Sequence, residues 1–304
     1  MGSFIKFLGI AFVSFIFLAL SSKKEIQGGE KIVEEEVKSS LLWKIEGSDL
    51  KKPSYLFGTM HLIQKEYFYF PSSLEKIIKK SNLILMELDL DEMKDQSKAV
   101  EFMSLKEGKM MDFFDEKQQD TVYAWVKKKL FMDKETFNMA FSKFKPFVLL
   151  QTSIQMTFMG KTESYEMTIN ELAQKAKVEV AGLETIGEQM KVFDDLTREE
   201  QAEMVLEGIR NEEKSLKLLN DMQRIYKSQN LDSLHILVQH DGGMVQEKEA
   251  SFLGQRNKNW IPKIEDNIKK GQVFIAVGAA HLPGENGVIQ LLRAKGYKVT
   301  AIKN

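Results

Sequence analysis

The chain alternates between short, continuous apolar runs and longer stretches with helical spacing. Residues 273–277 (VFIAV) are apolar throughout, too few for a buried helix, and rich in β-branched and aromatic side chains. That is the pattern of a strand covered on both faces. Residues 83–88 (LILMEL) repeat it, with Glu87 set among aliphatics. Residues 41–45 and 55–57 predict two further strands joined by the turn-forming 46–49, and residues 178–181 another.

Helical spacing fills the intervals. Pro71-Ser72-Ser73 opens an amphipathic helix with a serine cap and Leu74, Ile77 and Ile78 on one face. Residues 118–130 predict a helix, followed by a longer one through Phe141, Phe144, Phe147, Met156 and Met159 that Pro146 should kink or split. Thr168 with Glu171, and Thr197 with Glu200, have capping-box spacing for a helix reaching Ala176 and for a charged helix over 198–226. Residues 250–270 predict a helix broken near Pro262, and residues 288–294 one stopped by Gly296. Strands interleaved with helices predict an α/β protein, with α+β as the alternative. A central mixed sheet should lie under a cap of phenylalanine- and methionine-rich helices.

Chemistry-bearing residues collect where the strand-like runs stop. The run 273–277 ends in Gly278-Ala279-Ala280-His281, and the run 55–57 in Gly58-Thr59-Met60-His61. Each histidine precedes a leucine, so Gly-x-x-His-Leu occurs twice and suggests two related halves. Ligands of open α/β sheets gather at the carboxyl ends of the strands, so His61 and His281 should meet at one sheet edge. Glu87 ends another run, and a buried ionised glutamate needs a cation or metal beside it. Glu184, in Gly182-Leu183-Glu184-Thr185, occupies the same kind of position. Arg256 beside Asn257 can grip a carboxylate with its fork of donors. His235 and His240 are five apart on a predicted helix, share no face, and read as structural or surface residues.

At these residues the chain resembles the TraB/GumN family, which includes the Tiki proteases. The resemblance rests on residues 56–62, 83–88, 180–189 (VAGLETIGEQ), Arg256-Asn257 with Trp260, and above all VGAAHLPGENGVIQLLRAKGYKV near the end of the chain. It implies a fold related to the erythromycin-esterase and ChaN-like proteins. It also implies that both Gly-x-x-His motifs and a glutamate are needed for activity, and that Tiki-like members cleave peptides with a metal. Many bacterial members have no assigned substrate.

Composition narrows the remaining choices. Forty-three lysines and arginines against 44 aspartates and glutamates leave a net charge of -1, which gives no electrostatic basis for binding nucleic acid. With no cysteine, disulfides, thiolate metal sites and cysteine nucleophiles are excluded. Residues 7–20 (FLGIAFVSFIFLAL) form an apolar run shorter than the roughly 20 residues of a spanning helix. With Ala19-Leu20-Ser21 behind it, the run predicts a secretory signal over residues 1–21, and so a periplasmic or extracellular protein. An uncleaved segment would be its membrane anchor and its sole membrane contact. Residues 22–40 read as a charged tether and 41–304 as one domain.

Two histidines with one or two carboxylates form a nitrogen and oxygen donor set suited to Zn, Mn, Fe or Co. The first expectation is a hydrolase of peptides, or of related amides and esters, that uses Mn, Co or Zn on His61, His281 and Glu87. Glu184 and Arg256 would assist, Arg256 by holding a substrate carboxylate or by orienting Glu87. Two alternatives stand beside it: a metal-free esterase with His61 or His281 as general base, and a non-catalytic protein that binds haem or a peptide or regulates signalling.

Overall fold

The computed structural model describes residues 39–89, 96–241, 248 and 250–303. The predicted signal segment and most of the predicted tether lie outside these residues. Among the described residues no helix is long and apolar enough to cross a membrane.

A six-stranded mixed sheet organises the α/β fold. In chain order its strands are β1 (Leu42–Glu46), β2 (Ser54–Thr59), β4 (Leu83–Met86), β6 (Glu179–Gly182), β7 (Val273–Gly278) and β8 (Lys298–Ile302). Strands β3 (Ile63–Gln64) and β5 (Thr162–Glu163) form a small separate ladder. The spatial order is β6-β4-β7-β2-β1-β8. Strands β6, β4, β7 and β2 are mutually parallel, while β1 runs antiparallel to both β2 and β8. All six residues of β7 are buried, as a central strand covered on both faces requires. The two Gly-x-x-His strands are direct neighbours, with Thr59 paired to Gly278. Strands from the beginning and end of the chain thus interleave within one sheet.

One hydrophobic core packs on the sheet through Leu56, Phe57, Ile84, Phe274 and Ile275; a second lies within the helical cap around Phe137, Phe141, Phe147, Val205 and Phe252. Pro146 splits the predicted long helix into Lys134–Phe141 and Phe147–Thr157. Met159, expected in that core, is 59% exposed.

Four local expectations require correction. Ser72 and Ser73 lie inside the helix Ser72–Lys80, whose N-cap is Pro71 without a side-chain cap bond. The helix expected to begin at Thr168 starts at Tyr165, because Ser164 accepts from the Met167 amide and takes the N-cap; the Thr168 hydroxyl instead donates back to the Ser164 carbonyl. The charged stretch expected as one helix is two, Arg198–Arg210 and Glu212–Lys227, hinged at Asn211 with φ -111° and ψ 27°. Its opening box, Thr197 with Glu200, is present as expected. Finally, the helix Gln255–Ile268 runs through Pro262. Pro262 and Lys258, the residue whose carbonyl loses its amide partner, are both exposed, so water can satisfy that carbonyl. A π-helical turn, Ala250–Gly254, precedes this helix.

Candidate active site

Parallel pairing brings four strand ends to one edge. His61 lies two residues beyond β2, Glu87 directly beyond β4, Glu184 two beyond β6, and His281 closes the 3-10 turn Ala279–His281 that continues β7. Nε2 of His61 is 3.5 Å and Nε2 of His281 3.8 Å from Oε1 of Glu87. The fifth candidate, Arg256, enters from the helix above. The preceding π turn places the Phe252 carbonyl 3.3 Å from Nη1 of Arg256, helping to seat the guanidinium.

Glu87 is 3% exposed and saturated with donors. Its Oε1 accepts the Gly278 amide at 2.7 Å, and its Oε2 accepts Arg256 Nη2 at 2.7 Å and Gln189 Nε2 at 3.2 Å. Burial opposes its ionisation, but the charges of Arg256 and His61 hold it well below the usual carboxylate range. Glu184 accepts from Arg256 Nε, Trp260 Nε1 and Gln189 Nε2 at 3.0–3.1 Å, and it also meets Arg256 Nη2. Burial pushes its pKa up against the pull of Arg256, with Glu87 adding to the rise. The guanidinium, itself buried, keeps its charge because Glu87 and Glu184 outweigh its desolvation.

The two imidazoles are held in opposite states. Nδ1 of His281 lies 2.6 Å from Oδ1 of Asn257, whose amide nitrogen donates to the carbonyls of His281 and Asn286. Those two donations fix Oδ1 as the acceptor, so Nδ1 carries the proton and Nε2 is bare. Nε2 accepts from Arg256 Nη1 at 3.2 Å. Burial drives the His281 pKa down to about 3; Glu87 opposes the fall, and Arg256 and His61 add to it. For His61, burial is outweighed by Glu166, whose Oε1 is 2.8 Å from Nδ1, and by Glu87, so its pKa is held up at about 10. At neutral pH His61 is a cation and His281 is not.

Both motif glycines make room rather than bend the chain. Gly278 has φ -52° and ψ 136°, open to any residue. A Cβ there would lie 3.1 Å from Glu87 Oε1 and 3.3 Å from His61 Nε2, between the two side chains. A Cβ on Gly58 would lie 3.0 Å from the Ala279 Cα, so the glycine of one motif admits the other motif's turn.

A cavity of about 110 Å³ opens above this cluster. Its floor includes His61, Glu87, Arg256 and His281; its roof is aliphatic and comes largely from the helices Glu212–Lys227 and Leu231–Asp241. His235 and His240 lie on the helix Leu231–Asp241, and neither lines this cavity.

The expected metal trio is close together, but Arg256 already holds the places a cation would take. Its Nη1 meets the lone pair of His281 Nε2, and its Nη2 meets Glu87. A divalent ion would face a guanidinium within hydrogen-bonding range of two of its three ligands. Among the described residues, no group of three or more histidines, aspartates or glutamates is placed to hold a metal ion. In this arrangement His61, His281 and Glu87 do not fit one.

Three participants went unassigned in the sequence. Glu166 stands there just ahead of the predicted helix start at Thr168, and nothing local shows that it faces His61. Asn257 and Gln189 sit in the quoted segments, but their partners emerge only when the helices are packed.

A parallel-stranded edge carrying two histidines and two glutamates, met by a buried arginine from the helix Gln255–Ile268, defines an α/β protein whose polar cluster stands at strand ends. The chain belongs to the TraB/PrgY/gumN family, whose sequence profile matches residues 41–301. No curated protein and no solved structure matches it.

Proposed function

We propose that the protein is a hydrolase of amide or ester bonds, acting on peptides or small molecules outside the cytoplasm, with two histidines in complementary roles. The observation that carries this reading is the pair of imidazoles turned toward one carboxylate at the floor of an apolar cavity, one charged and one neutral. Paired groups whose environments drive their pKa values apart are the usual mark of an acid and a base. His61, protonated on Nε2 and oriented through Nδ1 by Glu166, is the acid that gives its proton to the leaving nitrogen or oxygen. His281, with Nε2 bare, is the base that takes a proton from water as the oxygen attacks the carbonyl carbon. Arg256 blocks that lone pair at rest. When its Nη1 turns onto the substrate carbonyl oxygen it stabilises the developing oxyanion, frees the base and lifts one cause of His281's low basicity. Glu87 holds Arg256 and places its negative charge 3.5 Å from Nε2 of the His61 cation. Export is supported by the apolar run over residues 7–20.

A second reading uses the same residues with Mn, Co or Zn. It is favoured by one observation: each Nδ1 has an oxygen behind it, Glu166 Oε1 in an ion-pair contact at 2.8 Å and Asn257 Oδ1 at 2.6 Å, and both Nε2 atoms lie on the side of Glu87. It requires Arg256 to leave His281.

One screen of peptides and esters, run with and without chelator and beside metal analysis of the purified protein, tests both. Activity that survives metal removal and disappears in His61→Ala and His281→Ala is the expected result. Activity restored only by added metal would replace the first reading with the second. Unchanged activity in both variants would overturn both.

A further inference from the structure

The cavity above the histidines has two unlike halves. Its polar groups are confined to the floor, while Ile154, Leu219, Met222, Leu234, Val238 and Leu253 close it from above. The spacing is that of helix faces: Leu219 and Met222 are three apart on Glu212–Lys227, and Leu234 and Val238 four apart on Leu231–Asp241. An apolar cavity of about 150 Å³ can hold benzene, so one of 110 Å³ takes about four heavy atoms. A charged or amide side chain entering the roof would lose its water and find no partner. A ring exceeds this volume and would have to extend through the cavity's open side.

We propose that this roof is a specificity pocket for one compact aliphatic group, a valine- or leucine-sized side chain or a short branched acyl chain, presented beside the carbonyl that the floor attacks. The choice of substrate rests on the hydrolytic reading above, but the pocket's preference for size and polarity does not. In a pocket of this kind, one methylene too many or too few changes selectivity at least about tenfold.

Binding to the full chain is measured by calorimetry with N-acetyl amides of alanine, valine, leucine, phenylalanine and aspartate. The valine or leucine amide should bind at least about tenfold more tightly than the alanine, phenylalanine and aspartate amides. Equal binding of the phenylalanine or aspartate amide to the unaltered protein would overturn the pocket without any variant. Leu219 is only half-buried, so Leu219→Trp can place a ring in the roof while keeping the fold, which circular dichroism and the melting midpoint check. That variant should lose the leucine amide; a folded Leu219→Trp that binds it unchanged would also overturn the proposal. The size series separates the two readings: aliphatic binding without cleavage of any matching peptide or ester sinks hydrolysis and leaves the pocket. Cleavage indifferent to side-chain size does the reverse.

Discussion

Replacing Arg256 by methionine asks how much of the site's order one cation supplies. Methionine keeps much of the aliphatic stem and removes every donor. Glu87, 3% exposed, would retain the Gly278 amide and Gln189; Glu184, 6% exposed, would retain Trp260 and the same Gln189. Removing one partner of a buried ion pair costs about 3–5 kcal/mol, because the remaining charge stays desolvated. The variant should therefore lose about that much in urea unfolding at pH 7. The sign of the pH dependence follows from the carboxylates. In the native protein Glu87 is depressed, so its contribution is present above the unfolded carboxylate pKa and is lost only as pH falls toward the folded value. Glu184 is already raised. Without Arg256, Glu184 rises further and Glu87 loses one of the charges that depress it, so the folded variant binds more protons than the native fold does and gains stability relative to it as pH falls. Its deficit should thus narrow from pH 7 to pH 5, and Glu184→Gln in the same chain should recover part of it. A deficit below about 1 kcal/mol, or one equal at both pH values, would refute the account of Arg256 as the countercharge to both glutamates.

Gly278→Ala adds a methyl between Glu87 and His61 at a backbone geometry alanine accepts. It should keep the melting midpoint within a few degrees and lower kcat about a hundredfold, as a small misplacement of reacting groups does; unchanged turnover would show that this space is not used. His61, raised to about 10 in the folded protein, stabilises fully below its unfolded value of 6.5, and that contribution fades as pH rises through 10. Unfolding free energies of the native chain and His61→Gln should converge across that window, and parallel curves would sink the charged assignment. Glu166→Gln should shrink the same pH-dependent difference and lower kcat more than it alters KM, since it orients the acid without touching substrate. A change in KM alone would assign it to binding.

The strand ends could be read from the sequence because their signals are local: a continuous apolar run, then glycine, then a histidine or glutamate. The run over 273–277 shows a central strand, and two such runs ending in Gly-x-x-His imply parallel neighbours with a common edge. The helix breaks were less legible. Asn211 has no strong stop signal, and Pro262 is tolerated because its face of the helix meets water, which only packing reveals. Thr168 and Glu171 have capping spacing, but Ser164 competes for the same end and prevails. Within the site, Glu87 and Arg256 each signal the need for a partner. That they are each other's partner, and that Glu166 backs His61, depends on contacts between residues 169 and 105 positions apart in the chain.

The interleaved strand order also governs when the site can come into being. Between β4, which carries Glu87, and β2, which carries His61, lies β7, made from residues near the far end of the chain. Until β7 is threaded between them, β4 has only β6 and β2 only β1 as a hydrogen-bonded neighbour. The groups of the site then stand on separate pieces of sheet. Pairings of such long sequence separation form late and slowly. A growing chain therefore carries no assembled site, and the strand that joins the two pieces of sheet brings all of its groups together in one event.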